Sequence, residues 1–185
     1  LLLTSCFELE LVNPNAMDEN SFWKTEADLF QGVIAAYDAL QSDALYNSNL
    51  HVILTGMADD GPGESINEYY NPFRFNIFDN NIFLNEMTWI NFYALIGRAY
   101  QVIDRADDIE GPNVAAIAAE AKFLAALAYY NLVNIWGENL AYVDRIQQAD
   151  DRPRRAEAGE LYALMEDLLD AAIPDLPLAS EYSEA

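Results

Sequence analysis

Cysteine, histidine and basic residues are scarce in this chain of 185 residues. Its one cysteine, Cys6, leaves no partner for an internal disulfide, and its one histidine, His51, excludes a zinc site built on several histidines. Nine Lys+Arg stand against 31 Asp+Glu, which gives a formal net charge of −22. Nucleic acids and anionic lipid surfaces are bound through clustered basic side chains, so the negative charge argues strongly against both as electrostatic partners.

Long apolar runs are also missing. A membrane-spanning helix needs roughly 18 or more consecutive apolar residues, and we find no such run, so we predict no membrane span. The chain nevertheless contains 52% apolar and only 22% charged residues. It can therefore bury a substantial core, and its length suits one domain rather than a disordered acidic tail.

The first six residues have the pattern of the end of a lipoprotein signal peptide. Leu3-Thr4-Ser5-Cys6 fits a bacterial lipobox, in which a branched apolar residue and two small residues precede the cysteine that is acylated. The alternative is an ordinary buried thiol, but the position at the very start favours the lipobox. We predict that residues 1–6 are the end of a signal peptide with its lipobox, that Cys6 is the lipidation site, and that a helical domain follows over residues 7–185.

Four segments repeat apolar residues at helical spacing. The predicted helices cover residues 25–46, 84–108, 114–136 and 156–173. Thr25 and Asp28 form a potential capping box at the first, and Gly137 is a suitable cap after the third. No window alternates strongly enough for a strand. We predict an all-α fold of tetratricopeptide-like helical hairpins, and we interpret the apolar stripes, including Trp89, as core.

The connection over residues 47–82 is the unusual segment, because it shows no helical period. Connections beyond about 12–15 residues are uncommon in compact domains and are often functional. This one combines asparagines, tyrosines, phenylalanines and carboxylates around the turn Gly61-Pro62-Gly63. Aromatic faces pack against the C–H faces of a sugar ring, while amides and charged groups pair with its hydroxyls. The segment therefore favours a neutral, hydroxyl-rich ligand; the alternative is that its aromatics form a small core of their own.

Two other classes of function stay open. A glycosidase needs two carboxylates roughly 5–9.5 Å apart, and Asp59, Asp60, Glu64 and Glu68 offer such groups. A chain with 31 acidic residues has neighbouring carboxylates by chance, however, so this signal is weak. No phosphate-cradling glycine loop, nucleophile elbow or metal motif occurs, and we expect neither catalysis nor a cofactor or metal. The remaining class is a helical-repeat adaptor that holds another protein.

Four blocks of sequence carry a family resemblance. They are SFWKTEAD at residues 21–28 with AYDAL at 36–40, WINFYALIGRA at 89–99, EAKFLAALAYYNLV at 120–133 followed by Trp136-Gly137, and a last block at 154–177. In this order they resemble the SusD/RagB family of outer-membrane nutrient-binding lipoproteins from Bacteroidetes-type bacteria. Members of that family have several hundred residues. The resemblance therefore covers the amino-terminal helical region of the family. We predict that residues 7–185 form this region and lack the carboxy-terminal part that family members have.

The resemblance implies a role at the cell surface. It implies a protein held at the outer membrane by acylated Cys6 that captures a glycan or other nutrient without cleaving it. A SusC-like TonB-dependent outer-membrane transporter is the implied partner that receives the ligand. In the family, glycan contacts include residues of the first long connection. On that basis the candidate ligand-binding residues are Asp59, Asp60, Asn67, Tyr69, Tyr70 and Arg74.

Overall fold

The computed structural model describes residues 22–58, 71–75, 77 and 83–180. Within these ranges the chain forms six α-helices and one short 3₁₀ turn, Ala106–Asp108, and no extended strand. The helices are α1 Glu26–Leu40, α2 Asn49–Met57, α3 Asn71–Arg74, α4 Phe83–Ile103, α5 Val114–Trp136 and α6 Glu160–Ala172. The all-α prediction is confirmed.

Helix α5 lies at the centre and contacts α1, α4 and α6. Its buried side is rich in small residues: Ala118, Ala119, Ala121, Ala125, Ala126 and Ala128. Because an alanine side chain ends at Cβ, neighbouring helices approach α5 closely. Leu124, Tyr129 and Leu132 are fully buried on the same helix. These small residues are therefore the packing surface of the core.

Helix α1 runs parallel to α5 and antiparallel to α4. At its start, Glu26 accepts hydrogen bonds from the backbone N–H (2.9 Å) and side-chain amide (2.9 Å) of Asn113, the residue before α5. Beyond its end, the side chain of Asn131 in α5 donates to the Tyr46 hydroxyl at 3.0 Å. The antiparallel order relative to α4 follows from two contacts: Arg98, late in α4, donates to the Ala35 carbonyl at 2.7 Å, whereas Thr88, earlier in α4, donates to the Ala44 carbonyl beyond the end of α1 at 2.9 Å.

The capping box predicted at α1 is present. The Thr25 hydroxyl accepts from the Asp28 N–H at 3.2 Å, and the Asp28 carboxylate accepts from the Thr25 N–H at 2.9 Å. These reciprocal bonds satisfy backbone donors that the first turn leaves unpaired, and the carboxylate complements the helix dipole. Hydrogen bonds from Thr25 and Lys24 lower the pKa of Asp28.

Four predicted boundaries are wrong. Helix α4 ends at Ile103 rather than near residue 108, and residues 106–108 form the 3₁₀ turn. Helix α1 ends at Leu40 rather than near residue 46, and turns occupy the residues up to α2. The connection predicted to lack helix contains α2, a nine-residue helix that buries Leu50 and Ile53. Helix α6 begins at Glu160 rather than at residue 156, because residues 154–156 are extended and pair with the segment after α5.

Helix α5 is long and apolar enough to cross a membrane, judged by length and composition alone. The mean hydropathy of its most apolar 18-residue window is 1.2, but 67% of that window is buried inside the protein. Three helices cover it. We therefore assign α5 as the central core helix.

Candidate ligand-binding region

Most of the predicted ligand-binding residues lie outside the described parts of the chain. This applies to Asp59, Asp60, Asn67, Tyr69 and Tyr70, and also to the lipidation candidate Cys6 and to the carboxylates Glu64 and Glu68. Arg74 is the last residue of the short helix α3. That these residues form one ligand site stays a prediction. They belong to the connection over residues 47–82, of which the structure describes the two ends and the short helix α3.

The first end of this segment is fixed to the core. The hydroxyl of Thr88 in α4 is buried and donates to the Ala44 carbonyl at 2.9 Å. Leu45 and Leu50 are buried in the main core. In α2, Ile53 packs against Leu84, near the start of α4. Packing therefore holds α2 and the start of α4 in place.

An open cleft lies beside the first end. Its volume is about 630 Å³, and its lining includes Leu40, Gln41, Tyr46, Asn47 and Leu127. It combines two leucines, one phenol and two side-chain amides, and these five side chains carry no formal charge. Such a lining suits contact with an uncharged ligand surface through packing and hydrogen bonds.

Two polar side chains beside the cleft are held by hydrogen bonds. The Asn131 side chain donates to the Leu127 carbonyl at 2.8 Å as well as to the Tyr46 hydroxyl. The Asn47 side chain donates to the Asp43 carboxylate at 2.5 Å. Gln41 and Tyr46 were not predicted as site residues because both fell within the predicted first helix, residues 25–46. Asn47 belonged to the asparagine-rich segment, so its amide was the available signal.

The aromatic residues of α4 form part of the scaffold. The Trp89 ring lies edge-on to the Trp136 ring, with 5.2 Å between centroids, and 5.2 Å from the Tyr93 ring. All three are partly buried against the main core. The interpretation of Trp89 as a core residue is confirmed.

Buried tyrosines bind the segment that follows α5. The Tyr129 hydroxyl donates to the Val143 carbonyl at 2.9 Å and accepts from the Val143 N–H at 2.8 Å, and the Tyr93 hydroxyl donates to the Ala141 carbonyl at 3.0 Å. Burial raises the pKa of Tyr93 to about 12, and the pKa values of Tyr100 and Tyr129 also rise, with burial as the main cause. These phenols stay protonated, and those of Tyr93 and Tyr129 serve as hydrogen-bonding groups of the framework.

An exposed ion pair connects the segment that follows α5 to the start of α6. Arg154 bonds through two nitrogens to the Glu160 carboxylate, and its guanidinium carbon lies 4.5 Å from the centroid of the Tyr142 ring. The hydrogen bonds from Arg154 lower the pKa of Glu160 to about 2, and the Glu157 N–H adds to the effect. Glu160 is the first residue of α6, and its negative charge stabilises the helix by interacting with the positive end of the helix dipole.

The fold is an all-α array of helical hairpins. A family model described as "Starch-binding associating with outer membrane" (SusD-like) matches residues 9–184. The chain belongs to the SusD-like family, as the sequence blocks indicated.

Curated relatives and solved structures agree with this assignment. SusD-like protein P2 of Formosa agariphila is 30% identical over 149 residues, covering 78% of this chain and 29% of the relative. SusD-like protein P25 of the same organism is 28% identical over 200 residues, covering 99% of this chain and 37% of the relative. The chain thus spans about a third of the length of these relatives.

The structural neighbours share the fold. A structure titled "Laminarin binding SusD-like protein" superposes with a TM-score of 0.71 at 23% identity, covering 83% of this chain and 35% of the other. A SusD homolog from Bacteroides thetaiotaomicron gives a TM-score of 0.72 at 20% identity, covering 85% of this chain and 31% of the other.

Proposed function

We propose that this chain is the amino-terminal part of a surface lipoprotein that captures a glycan without cleaving it and delivers it to a SusC-like TonB-dependent transporter. The observation that carries the proposal is the family match over residues 9–184, with its description of starch binding at the outer membrane. The chain covers 29–37% of its curated relatives, so the activity belongs to the whole protein rather than to this region alone.

The scaffold supports a binding role for the segment between α2 and α4. Its two ends are held by packing, since Ile53 of α2 contacts Leu84 near the start of α4. The segment supplies tyrosines, amides and charged groups suited to sugar hydroxyls and ring faces. Aromatic contacts contribute about 1 kcal/mol each beyond burial, so several of them yield millimolar to micromolar affinity. A laminarin-binding neighbour with the same fold agrees with a polysaccharide ligand.

Calorimetric titration tests this proposal. The protein is a chimera in which this chain replaces the matched part of SusD-like protein P25, titrated with laminarin, starch and other polysaccharides beside P25 itself. We expect binding to at least one polysaccharide, and a loss of about tenfold in affinity on joint Tyr69→Ala and Tyr70→Ala, equivalent to about 1.4 kcal/mol. Tyr162→Ala is the matched control, because Tyr162 is an exposed tyrosine on α6.

Each other result has a defined meaning. Unchanged binding by the double variant removes Tyr69 and Tyr70 from the site. A chimera that binds no polysaccharide while P25 does contradicts the glycan proposal and favours the adaptor. Release of shorter sugars that stops on Asp59→Asn contradicts the absence of catalysis and favours a glycosidase.

The anchor and the transporter are tested in cells. With a complete signal peptide in front of the chain, we expect radioactive fatty acid to label the wild type but not Cys6→Ala. Stable attachment needs more than one acyl chain, each buried methylene contributing about 0.8 kcal/mol. Equal labelling of both proteins contradicts lipidation at Cys6. Delivery predicts that the labelled protein co-purifies with a TonB-dependent barrel, and its absence from such a complex contradicts the partnership.

A further inference from the structure

Apart from the core tyrosines, two polar side chains are buried among the described residues, and both hold the turn that follows α1, residues 41–48. The Thr88 hydroxyl of α4 donates to the Ala44 carbonyl at 2.9 Å. The Asn131 amide of α5 donates to the Tyr46 hydroxyl at 3.0 Å. A buried polar group costs folding free energy unless it is hydrogen-bonded, and a satisfied one fixes the geometry of its partner. The turn is therefore held in one position from two helices.

This turn forms one wall of the open cleft of about 630 Å³. The turn contributes three polar side chains, and two leucines add apolar surface: Gln41, Tyr46, Asn47, Leu40 and Leu127. Ligand pockets usually have volumes of about 300–1,000 Å³ and combine an apolar lining with a few fixed polar groups. The cleft has the size and the composition of such a site.

The polar groups of the cleft can bind a ligand. The Tyr46 hydroxyl accepts a hydrogen bond from Asn131, and its own hydrogen has no acceptor among the described residues. In the same part of the chain the Gln41 side-chain amide has no partner. The Asn47 amide donates to the Asp43 carboxylate at 2.5 Å, which leaves its oxygen as an acceptor. Donors and acceptors beside apolar surface match the hydroxyls and the C–H faces of a sugar ring.

The surroundings of the cleft disfavour an anionic ligand. Residues 36–50 include two aspartates but no Lys or Arg, and residues 123–136 contain no charged residue. Arg98 is paired with Asp38 at 3.4 Å. The ring of His51, which counts as neutral at pH 7, lies 6.2 Å from the ring of the cleft tyrosine. Proteins bind carboxylate and sulfate groups through Arg and Lys, so a uronic acid or a sulfated sugar meets repulsion here.

We propose that the cleft is a second contact site for the captured glycan, that it holds an uncharged sugar unit, and that it discriminates against anionic polysaccharides. Asn47 both lines the cleft and begins the connection over residues 47–82, so a sugar in the cleft lies where that connection starts. Two linked contacts bind one polymeric ligand more tightly than either contact alone. This inference rests on the proposed glycan capture and adds a site and a ligand class to it.

Paired titrations of the chimera with P25 test the proposal. Each neutral polysaccharide that binds is compared with its carboxymethylated form, which we expect to bind at least about tenfold more weakly because its carboxylates meet aspartates and no free cation. Gln41→Ala and Tyr46→Phe should each weaken binding of the neutral polymer about threefold, since each removes a hydrogen-bonding group. Gln148→Ala and Tyr162→Phe are matched controls, because both residues are exposed and lie outside the cleft lining.

The charge preference is tested at the cleft itself. Gln41→Lys places a cation on its wall, and we expect the difference in affinity between the neutral and the carboxymethylated polymer to narrow by about threefold or more. The same substitution at Gln148, which is exposed elsewhere, is the control. An equal effect of the two substitutions contradicts charge discrimination by the cleft.

Protection of a thiol gives a local readout. In a Cys6→Ser background, the rate of maleimide reaction is measured for Gln41→Cys and for the control Gln148→Cys. The neutral polysaccharide is present at about ten times the dissociation constant of each variant, and we expect it to slow the reaction about fivefold or more at position 41 only, because bound glycan hides the thiol. If the chimera does not fold, the 185-residue chain carries the same substitutions.

The two proposals fail in different ways. Unprotected Gln41→Cys together with unchanged affinity of Gln41→Ala and Tyr46→Phe overturns the cleft site, while binding that depends on Tyr69 and Tyr70 leaves the proposed function standing. A Gln41→Cys thiol that is unreactive without glycan means that another part of the protein covers the cleft, which also overturns the site. Equal affinity for the carboxymethylated polymer overturns the neutral ligand class. A protein that binds no polysaccharide contradicts both proposals.

Discussion

Trp23 has a backbone conformation that is unusual for a large side chain. Its φ of 65° lies in the left-handed region, which costs about 1–3 kcal/mol for a residue other than glycine. Its ring lies against Gly32 of α1, and the guanidinium carbon of Arg105 stands 4.8 Å from its centroid. These contacts offset the backbone cost and fix the chain at the entrance to α1.

The glycine under this ring gives a prediction at the residue scale. A Cβ at Gly32 would lie 2.5 Å from two ring carbons of Trp23 and 3.0 Å from Val102 Cγ2. We expect Gly32→Ala to lower the free energy of unfolding by about 1–3 kcal/mol, because overpacking outweighs the helix-propensity gain of about 1 kcal/mol. Urea denaturation followed by circular dichroism measures it.

Gly97 provides the matched control. It lies within α4, and a Cβ there meets no atom within 4 Å. Gly97→Ala should therefore raise the free energy of unfolding by about 0.5–1 kcal/mol, through helix propensity alone. If Gly32→Ala proves as stable as Gly97→Ala, the packing of Trp23 on Gly32 is not as described.

At the scale of elements, the segment between α5 and α6 is held without a sheet. The Tyr142 N–H donates to the Arg154 carbonyl and the Ala156 N–H to the Leu140 carbonyl, each at 2.8 Å, around a single antiparallel bridge. Hydroxyls from α4 and α5 bind its backbone on the other side. Gly159, with a φ of 79°, then turns the chain into α6.

These phenols make stability fall at alkaline pH. Burial raises the pKa of Tyr93 from 10.0 to about 12, so the folded state retains a proton that the unfolded state has lost between these values. The contribution of protonated Tyr93 to the free energy of unfolding is present in full below pH 10 and is lost as the pH rises through about 12. We expect Tyr93→Phe to be less stable than the wild type at neutral pH, by about 1 kcal/mol for the lost hydrogen bond, but to lose stability less steeply above pH 10. Urea titrations across this range test it, and equal steepness would contradict the assignment.

Elements were predictable where local signals and tertiary packing agree. Helix α5 occupies its predicted residues because its apolar period runs unbroken to Gly137, whose φ of 79° suits the cap. Helix α2 was missed because it is short and its preceding residue, Ser48, makes no side-chain cap. The late start of α6 depends on the pairing of Ala156 with Leu140, a contact that helical periodicity does not contain.

At the scale of the whole molecule, the hairpin architecture and the family were predictable, but the candidate site was not. The family blocks coincide with buried helix faces, as at Leu29 and Val33 in α1 and at Leu124 and Leu132 in α5, so periodicity and resemblance point to one fold. The lining of the cleft depends on how the turn after α1 meets α5, which no local pattern encodes. The assignment of Tyr69 and Tyr70 to a ligand-binding site stays a prediction that rests on the chemical type of their side chains and on the family resemblance.

The anchoring of residues 41–58 and of α4 has a consequence for how such proteins diversify. Because α2 and the start of α4 are both packed in place, a longer connection between them mainly adds entropy of loop closure. That entropy grows slowly, by about 0.6 kcal/mol for each doubling of loop length. We therefore expect insertions in this connection to cost little folding free energy, so that related chains can differ there while the packing of α1, α4 and α5 is retained.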